Sequence, residues 1–572
     1  MKRNRYILLT ALTLLAVDSA WAQSEKKENE VIERELTIEK EFQPIVRDAS
    51  KVSLLPSVEA PKGDSKKATD YSFWTITGTP LYEVNPLAPA AIGTNFDFSE
   101  QRGYVNLSMG NYLNTEANVG GAIIRNENTE LNASFDFFNT SGKREGLERQ
   151  LMLMDKKMKV QLMQNRFNIN LNQQVSKIRL LLGLTYNNSR YNLPMLPIAT
   201  ADQALKTESF SDIKPTNNQI KFNAAIPVVR LGENWQMKTA LNYSFFTRSY
   251  TGLSNDKSAT ENFGNLEMDF FGKLLGNISG GVNVQGEFFA PEGDTYGMGK
   301  ITPRVAFELE NFRLSAGVAF QAGPKFHVFP DIHMNWDITP AFGMYADWTG
   351  NAQFNTFERM SNLCYLVLPN AITTNKQDVT PSDIKIGFKG LIKDALSIEL
   401  FGGATRYDRV SVVAPYVDRL AAYAMAAAQI KDITGWNYGL KVSANVGKMV
   451  QTSLDLTGYS GYKLMQQPEF IVKYNLGIQP INPLRIDLDY QFVGKRQVGL
   501  VNEETGNVLS KDAPVYDTMK AVNLLGLKAT YNFTKNFAVY VSANNLLNQK
   551  YDIWYGVPAQ GINFMAGASL NF

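Results

Sequence analysis

The sequence predicts an all-β protein: one large antiparallel transmembrane β-barrel of about 22 strands, preceded by an extended periplasmic segment. Three observations carry that expectation. From Tyr104 to the end, apolar residues recur at every second position, so each strand has one apolar and one polar face. Connections alternate in kind, with every long one after an odd-numbered strand and every tight one after an even-numbered strand. Beyond the first 22 residues, no apolar run reaches the ~18 residues of a membrane-spanning helix.

Residues 1–22 read as a secretory leader. Lys2, Arg3 and Arg5 form the basic start, "ILLTALTLLAV" the apolar core, and Ala20 and Ala22 the small residues before the cut. The rival, an uncleaved anchor, needs a longer apolar run. Residues 23–101 differ in composition from all that follows, being rich in charge, Pro and Ser, and read as a periplasmic arm or linker. Within it, "ELTIEKEF" sets Leu36, Ile38 and Phe42 on one face, a candidate strand for pairing with a partner's sheet edge. A charged linker with chance alternation is the simpler alternative.

Residues 102–572 are assigned to the barrel. "LNASFDFF" places Leu131, Ala133, Phe135 and Phe137 opposite Asn132, Ser134 and Asp136. "RIDLDYQF" places Ile486, Leu488, Tyr490 and Phe492 opposite Arg485, Asp487, Asp489 and Gln491. Tight turns are expected at "NEN" (Asn126–Asn128), "GN" (Gly276–Asn277), "NP" (Asn482–Pro483) and "TKN" (Thr534–Asn536). Long connections are expected near 140–158, 189–217, 250–261, 353–380, 405–434 and 497–516. Hydrocarbon cannot satisfy backbone hydrogen bonds, so a sheet in a bilayer must close on itself. The last strand therefore pairs with the first, "GYVNLSMG", and turns Ile562, Phe564, Ala566, Ala568, Leu570 and Phe572 to lipid. Phe564, Leu570 and Phe572 mark this barrel-closing strand. Tyr531, Phe533, Phe537 and Tyr551 suit interfacial girdles.

The stretch "FAVYVSANNLLNQKYDIWYGVPAQGINFMAGASLNF" resembles the closing hairpin of TonB-dependent receptors. The residues that match are Asn545, Leu546, Leu547, Asn548, Tyr551, Gly556, Pro558, Gly561, Asn563, Phe564 and Phe572. The resemblance implies an outer-membrane barrel of a Gram-negative bacterium, with the terminal Phe read by the barrel-insertion machinery. Members of that family carry a globular plug before the barrel, usually with a TonB box before it. Residues 23–101 are too few and too charged for a full plug, and "ELTIEKEF" is at most a loose analogue of the box. The expectation is a barrel lacking the plug domain.

Composition excludes several functions. Charge is balanced at 57 basic against 55 acidic residues, so nothing points to nucleic acid. Cys364 stands alone, and His327 and His333 are the only histidines. No metal site, cofactor or catalytic set is expected, and the chain is not read as an enzyme. Pro330, between the histidines, predicts a bulge or an edge. Asp136, Lys385, Lys389, Asp455, Arg485, Asp487, Asp489 and Lys528 are candidate lumen-lining residues that would border a solute path. The simpler alternative is that such charges pair with one another on a hydrated wall. The Ala-rich "YVDRLAAYAMAAAQIKDI" reads as a short helix in a loop. "SNLCYLVLPNAI" and the Met-rich "GLERQLMLMDKKMKVQLM" are apolar for loops, and suit either a partner surface or inward packing. Two functions follow: a receptor or transporter for an unidentified solute, and a plugless structural or accessory subunit of an envelope assembly or secretion complex. The partners implied are outer-membrane lipid and proteins meeting the periplasmic arm or the extracellular loops. An open porin is disfavoured, because so wide a lumen would breach the permeability barrier.

Overall fold

The computed structural model describes residues 102–145, 157–192, 214–251, 259–367, 377–392, 395–417, 423–446, 449–499, 508–509, 515 and 517–572. The leader, the arm and its Leu36, Ile38 and Phe42 lie outside the described residues, as does most of the Met-rich segment.

Twenty-two strands among the described residues form the cylinder wall. They are β1 (Gly103–Gly110), β2 (Thr115–Arg125), β3 (Thr129–Glu145), β4 (Lys157–Val175), β5 (Ile178–Tyr191), β6 (Lys214–Leu231), β7 (Trp235–Thr251) and β8 (Ala259–Leu275). Next come β9 (Ile278–Pro291), β10 (Tyr296–Glu308), β11 (Phe312–Ala322), β12 (His327–Thr339), β13 (Phe342–Phe354), β14 (Gln377–Ile392), β15 (Leu396–Val417) and β16 (Tyr423–Val446). The last six are β17 (Val450–Ser460), β18 (Phe470–Ile481), β19 (Leu484–Val493), β20 (Val522–Asn532), β21 (Phe537–Asn544) and β22 (Asn563–Asn571). Each pairs antiparallel with its neighbours in sequence. β22 also pairs with β1, from Tyr104↔Asn571 to Gly110↔Met565, and closes the sheet. At the seam the amides of Arg102 and Gly103 donate to the Phe572 carbonyl at 2.6 and 2.8 Å. A two-residue strand, Val508–Leu509, pairs parallel with Gln429–Ile430 without entering the wall.

The pleat separates two environments. In β22, Phe564, Ala566 and Leu570 are exposed, whereas Asn563, Met565 and Ser569 are buried. The outward row continues through Leu107, Met109, Val119 and Phe135. An apolar outer face of this kind is stable only against lipid. Trp235, Trp336, Phe342, Tyr531, Phe533 and Phe537 form an exposed aromatic band near the tight-turn rim, which is the periplasmic one. Tyr551 departs from expectation: it is buried with Val493, Val522, Leu524 and Ile553 rather than set in a girdle.

Two further readings are corrected. Much of 405–434 is strand, not loop, and the described residues of the Ala-rich stretch, 416–417 and 423–433, are strand rather than helix. β15 and β16 run as one hairpin paired from Leu396↔Ala444 to Val417↔Tyr423. Alanine's helix preference is weak beside a ladder that pairs Ala428, Ala427 and Ala426 with Val412, Val413 and Ala414. At Pro330 the edge, not the bulge, is seen: β11 and β12 stay in register through Val318↔Pro330, while the ladder to β13 begins only at Asp331↔Thr349. A helix, α1 (Phe357–Leu363), interrupts the expected β13–β14 loop.

Candidate functional site: the inner wall and the extracellular dome

The charged residues singled out above share the face opposite the apolar stripe. They are ordered by strand register. Lys389 faces Glu399, Glu399 faces Lys441, Lys441 faces Asp455, and Asp455 faces Lys473, so one level row alternates in sign across β14–β18. Opposite charges placed directly across a ladder stabilise it by about 0.2–1 kcal/mol each. The Lys441 ammonium is 3.5 Å from Glu399, whose other carboxylate oxygen accepts the Tyr345 hydroxyl at 2.7 Å. Lys385 lies across from Asp347. Lys385 and Lys389 sit 5.4 and 5.3 Å from the Tyr345 ring centre. Arg485 meets Asp487 at 2.8 Å, and Asp487 faces Lys528, which lies 4.7 Å from the Tyr540 ring centre. Asp136 faces Arg166. Asp489 faces Asn475 and Gly526 and has no charge opposite it. His333 bonds Asp347 at 2.7 Å and Asp331 at 3.3 Å. Among the described residues no cluster of three or more metal-ligating groups occurs.

A second feature answers to the inward-packing alternative for "SNLCYLVLPNAI", through a helix and anchors that the sequence did not suggest. On the extracellular side, chain leaving β13 turns inward. Thr356 caps α1, its hydroxyl accepting the Arg359 amide at 3.1 Å. Both amides that open the helix, Phe357 and Glu358, donate at 2.7 Å to the two carboxylate oxygens of Glu261 on β8. The two oxygens there satisfy two donors that the helix itself cannot. Arg248 on β7 holds the other end. Its Nε donates to Asn217 at 2.6 Å, its Nη2 to the Ser361 hydroxyl at 2.8 Å, and its Nη1 to the Val367 carbonyl. The guanidinium also lies 4.3 Å from the Phe357 ring centre and is 1 % exposed. Flank contacts complete the clamp: Lys221–Glu358 at 2.7 Å and Arg359–Asp378 at 2.8 Å. Asp378 also accepts the Ser411 amide and hydroxyl from β15.

α1 and its continuation pack into one apolar core. Met360, Cys364, Leu366 and Val367 meet Leu162, Tyr191 and Phe246 of the wall, and Val498, Met519, Tyr555 and Val557 of the loops after β19 and β21. Tyr365 bridges edge-on between Tyr191 at 4.8 Å and Trp554 at 5.3 Å. The short strands Met465–Pro468, Arg496–Val498 and Asp517–Met519 form a small antiparallel sheet. Gln466 links it to β15, donating to the Val413 carbonyl at 3.0 Å. Two more buried arginines fix the β21–β22 loop. Arg144 donates to the Pro558 carbonyl at 3.2 Å, and Arg496 to the Asp552 and Ile553 carbonyls at 2.7 Å. Burial pushes the Cys364 thiol up to about 12 and the Tyr365 hydroxyl likewise to about 12.

The closing-hairpin residues have visible local roles. Asn545 and Asn548 sit in the left-handed region, at φ of 50° and 49°. The Asn545 amide donates to the Gln549 and Gln560 carbonyls at 3.0 Å.

A closed 22-strand antiparallel cylinder with a lipid-facing apolar surface is an outer-membrane β-barrel, and its fold is that of the TonB-dependent receptors. Three solved structures show the likeness. The FrpB iron transporter of Neisseria meningitidis (F3-3 variant) superposes with a TM-score of 0.64 at 11% identity, over 83% of this chain and 82% of that one. The ferric-catecholate import receptor Fiu of E. coli K12 gives 0.56 at 11%, over 83% and 82%. The ferripyoverdine receptor of the Pseudomonas aeruginosa outer membrane gives 0.56 at 12%, over 83% and 72%. No family model matches the sequence, and no curated protein does.

Proposed function

We propose that the chain is an outer-membrane receptor of the TonB-dependent kind, taking up a solute too large for a simple pore. The observation that supports this most is the architecture itself: strand number, closure and inward-folded extracellular loops on a frame like that of the iron receptors. Ferric chelates are the first solute class to test, by analogy with those neighbours. The assay is uptake of radiolabelled iron as a ferric catecholate, in cells with and without the gene, before and after a protonophore. Uptake that needs both the gene and the proton gradient supports the reading. Gene-independent uptake of every chelate tried removes its substrate arm.

A second reading has its own support. The inner-wall charges are largely matched across strands, and a wall that satisfies itself needs no cargo. A plugless barrel serving as a structural or accessory subunit of an envelope assembly fits that arrangement. Under this reading, mild-detergent extraction from native membrane yields a stoichiometric protein partner, and deletion leaves solute uptake unchanged.

A further inference from the structure

We propose that this chain closes its own pore from the extracellular side, by a dome made of the α1 segment, the upper β15–β16 hairpin and the β21–β22 loop. The inference holds under either reading of function above. Its basis is where the packing partners come from. α1 leaves the wall at β13, yet the side chains that receive it stand on β5, β7 and β8; β5 lies eight strands away on a ring of 22. The segment therefore crosses the mouth rather than lying along the rim. On arrival it meets the loops after β19 and β21, so chain from three parts of the ring shares one dry core.

The anchors are of a kind that does not let go readily. Three arginines among the described residues are buried, Arg144, Arg248 and Arg496, at 1–2 % exposure. Each donates to main-chain carbonyls of dome segments: Pro558, Val367, and the pair Asp552 and Ile553. A guanidinium suits this task because its planar fork serves several acceptors at once and it stays charged at any physiological pH. Glu261 accepts both opening amides of α1. Arg248, bonded through all three of its nitrogens, holds one arrangement, since removing either side strands a polar group without water. The upper β15–β16 hairpin adds apolar cover through Val410, Val412, Ala414 and Ile430. A loop meant only to decorate the rim would not bury charge and aromatic area in this way.

The test uses the full-length protein in planar lipid bilayers, with Cys364 as a built-in reporter of the dome. Wild type should show no steady conductance, and maleimide should label Cys364 slowly. The triple variant R144A/R248A/R496A should conduct in large steps and label at least about tenfold faster, as expected for a protected thiol brought to solvent. Heat-modifiable migration on gels shows whether the variant barrel is folded. If it is not, Y365A, which removes the aromatic bridge alone, is put through the same two measurements. Large steady currents through wild type overturn the proposal. A folded variant whose thiol is freed but which stays silent also overturns it, because the block then lies elsewhere.

Discussion

Arg248 shows what a single side chain is asked to do. It is the largest fully buried residue of the wall, and its partners come from β6, from α1 and from the chain beyond it. Arg248→Ala leaves the Val367 carbonyl and the Asn217 and Ser361 side chains without it, and should cost about 3–5 kcal/mol of local stability. Thermal melting followed by tryptophan fluorescence reports this, since Trp554 belongs to the same core. Arg248→Lys should recover less than half of the loss, because an ammonium cannot span three acceptors in different directions. Cys364 offers a complementary check. With burial holding its thiol near 12, the thiolate stays scarce at pH 8. Maleimide labelling of the folded protein should remain slow from pH 7 to pH 9, whereas an exposed cysteine, with a pKa of about 8.5, speeds up over that range. Prompt labelling at pH 8 would mean the core around it is open.

Elements differ in how far the sequence announces them. The wall strands were legible because lipid on one side and water on the other force a strict alternation, and in "GINFMAGASLNF" Phe564, Ala566, Leu570 and Phe572 are exposed as expected. The inner face was legible as a face, since charges such as Asp487 and Lys385 cannot sit against hydrocarbon. Their pairing was not legible, because register depends on strands far apart in sequence, as in the row from Lys389 to Lys473. Inward packing of the apolar loop was one of two alternatives, and its anchors were hidden for a related reason. "SNLCYLVL" shows no period of its own, and what makes it fold inward is Arg248 and Glu261, more than 90 residues away. The misread Ala-rich stretch is the same lesson in reverse: local preference suggested helix, and a partner strand decided otherwise. Two substitutions test the faces separately. Leu107→Arg puts a charge on the outward face of β1 and should cost about 2–4 kcal/mol in urea titrations of the barrel in lipid vesicles. Asp455→Asn removes one member of the cross-strand row and should cost less than about 1 kcal/mol, because its site is hydrated and its neighbours can re-pair.

At the scale of the molecule, closure decides whether any of this exists. Phe572 takes part directly, its carbonyl receiving the amides of Arg102 and Gly103 and its own amide donating to the Gly103 carbonyl at 2.9 Å. Deleting Phe572 should lower the amount of folded barrel in the membrane several-fold, read as loss of the heat-modifiable band. Phe572→Leu, which keeps the backbone bonds, separates the ladder from recognition of the aromatic ring: full recovery would assign the effect to the ladder alone.

The wall is uneven in height, and its three shortest staves, β21, β22 and β1, stand side by side where the ring is joined. β1 spans 8 residues and β22 9, against 22 and 24 for β15 and β16. The joint lies in this low stretch of the circumference, fastened by seven rungs against twenty-one between β15 and β16, and it links the first and last strands of the wall. It should zip last during assembly and part first on warming. Amide protons along Tyr104–Gly110 should exchange with deuterium sooner than those midway round the hoop, and the bilayer should pinch inward along that line.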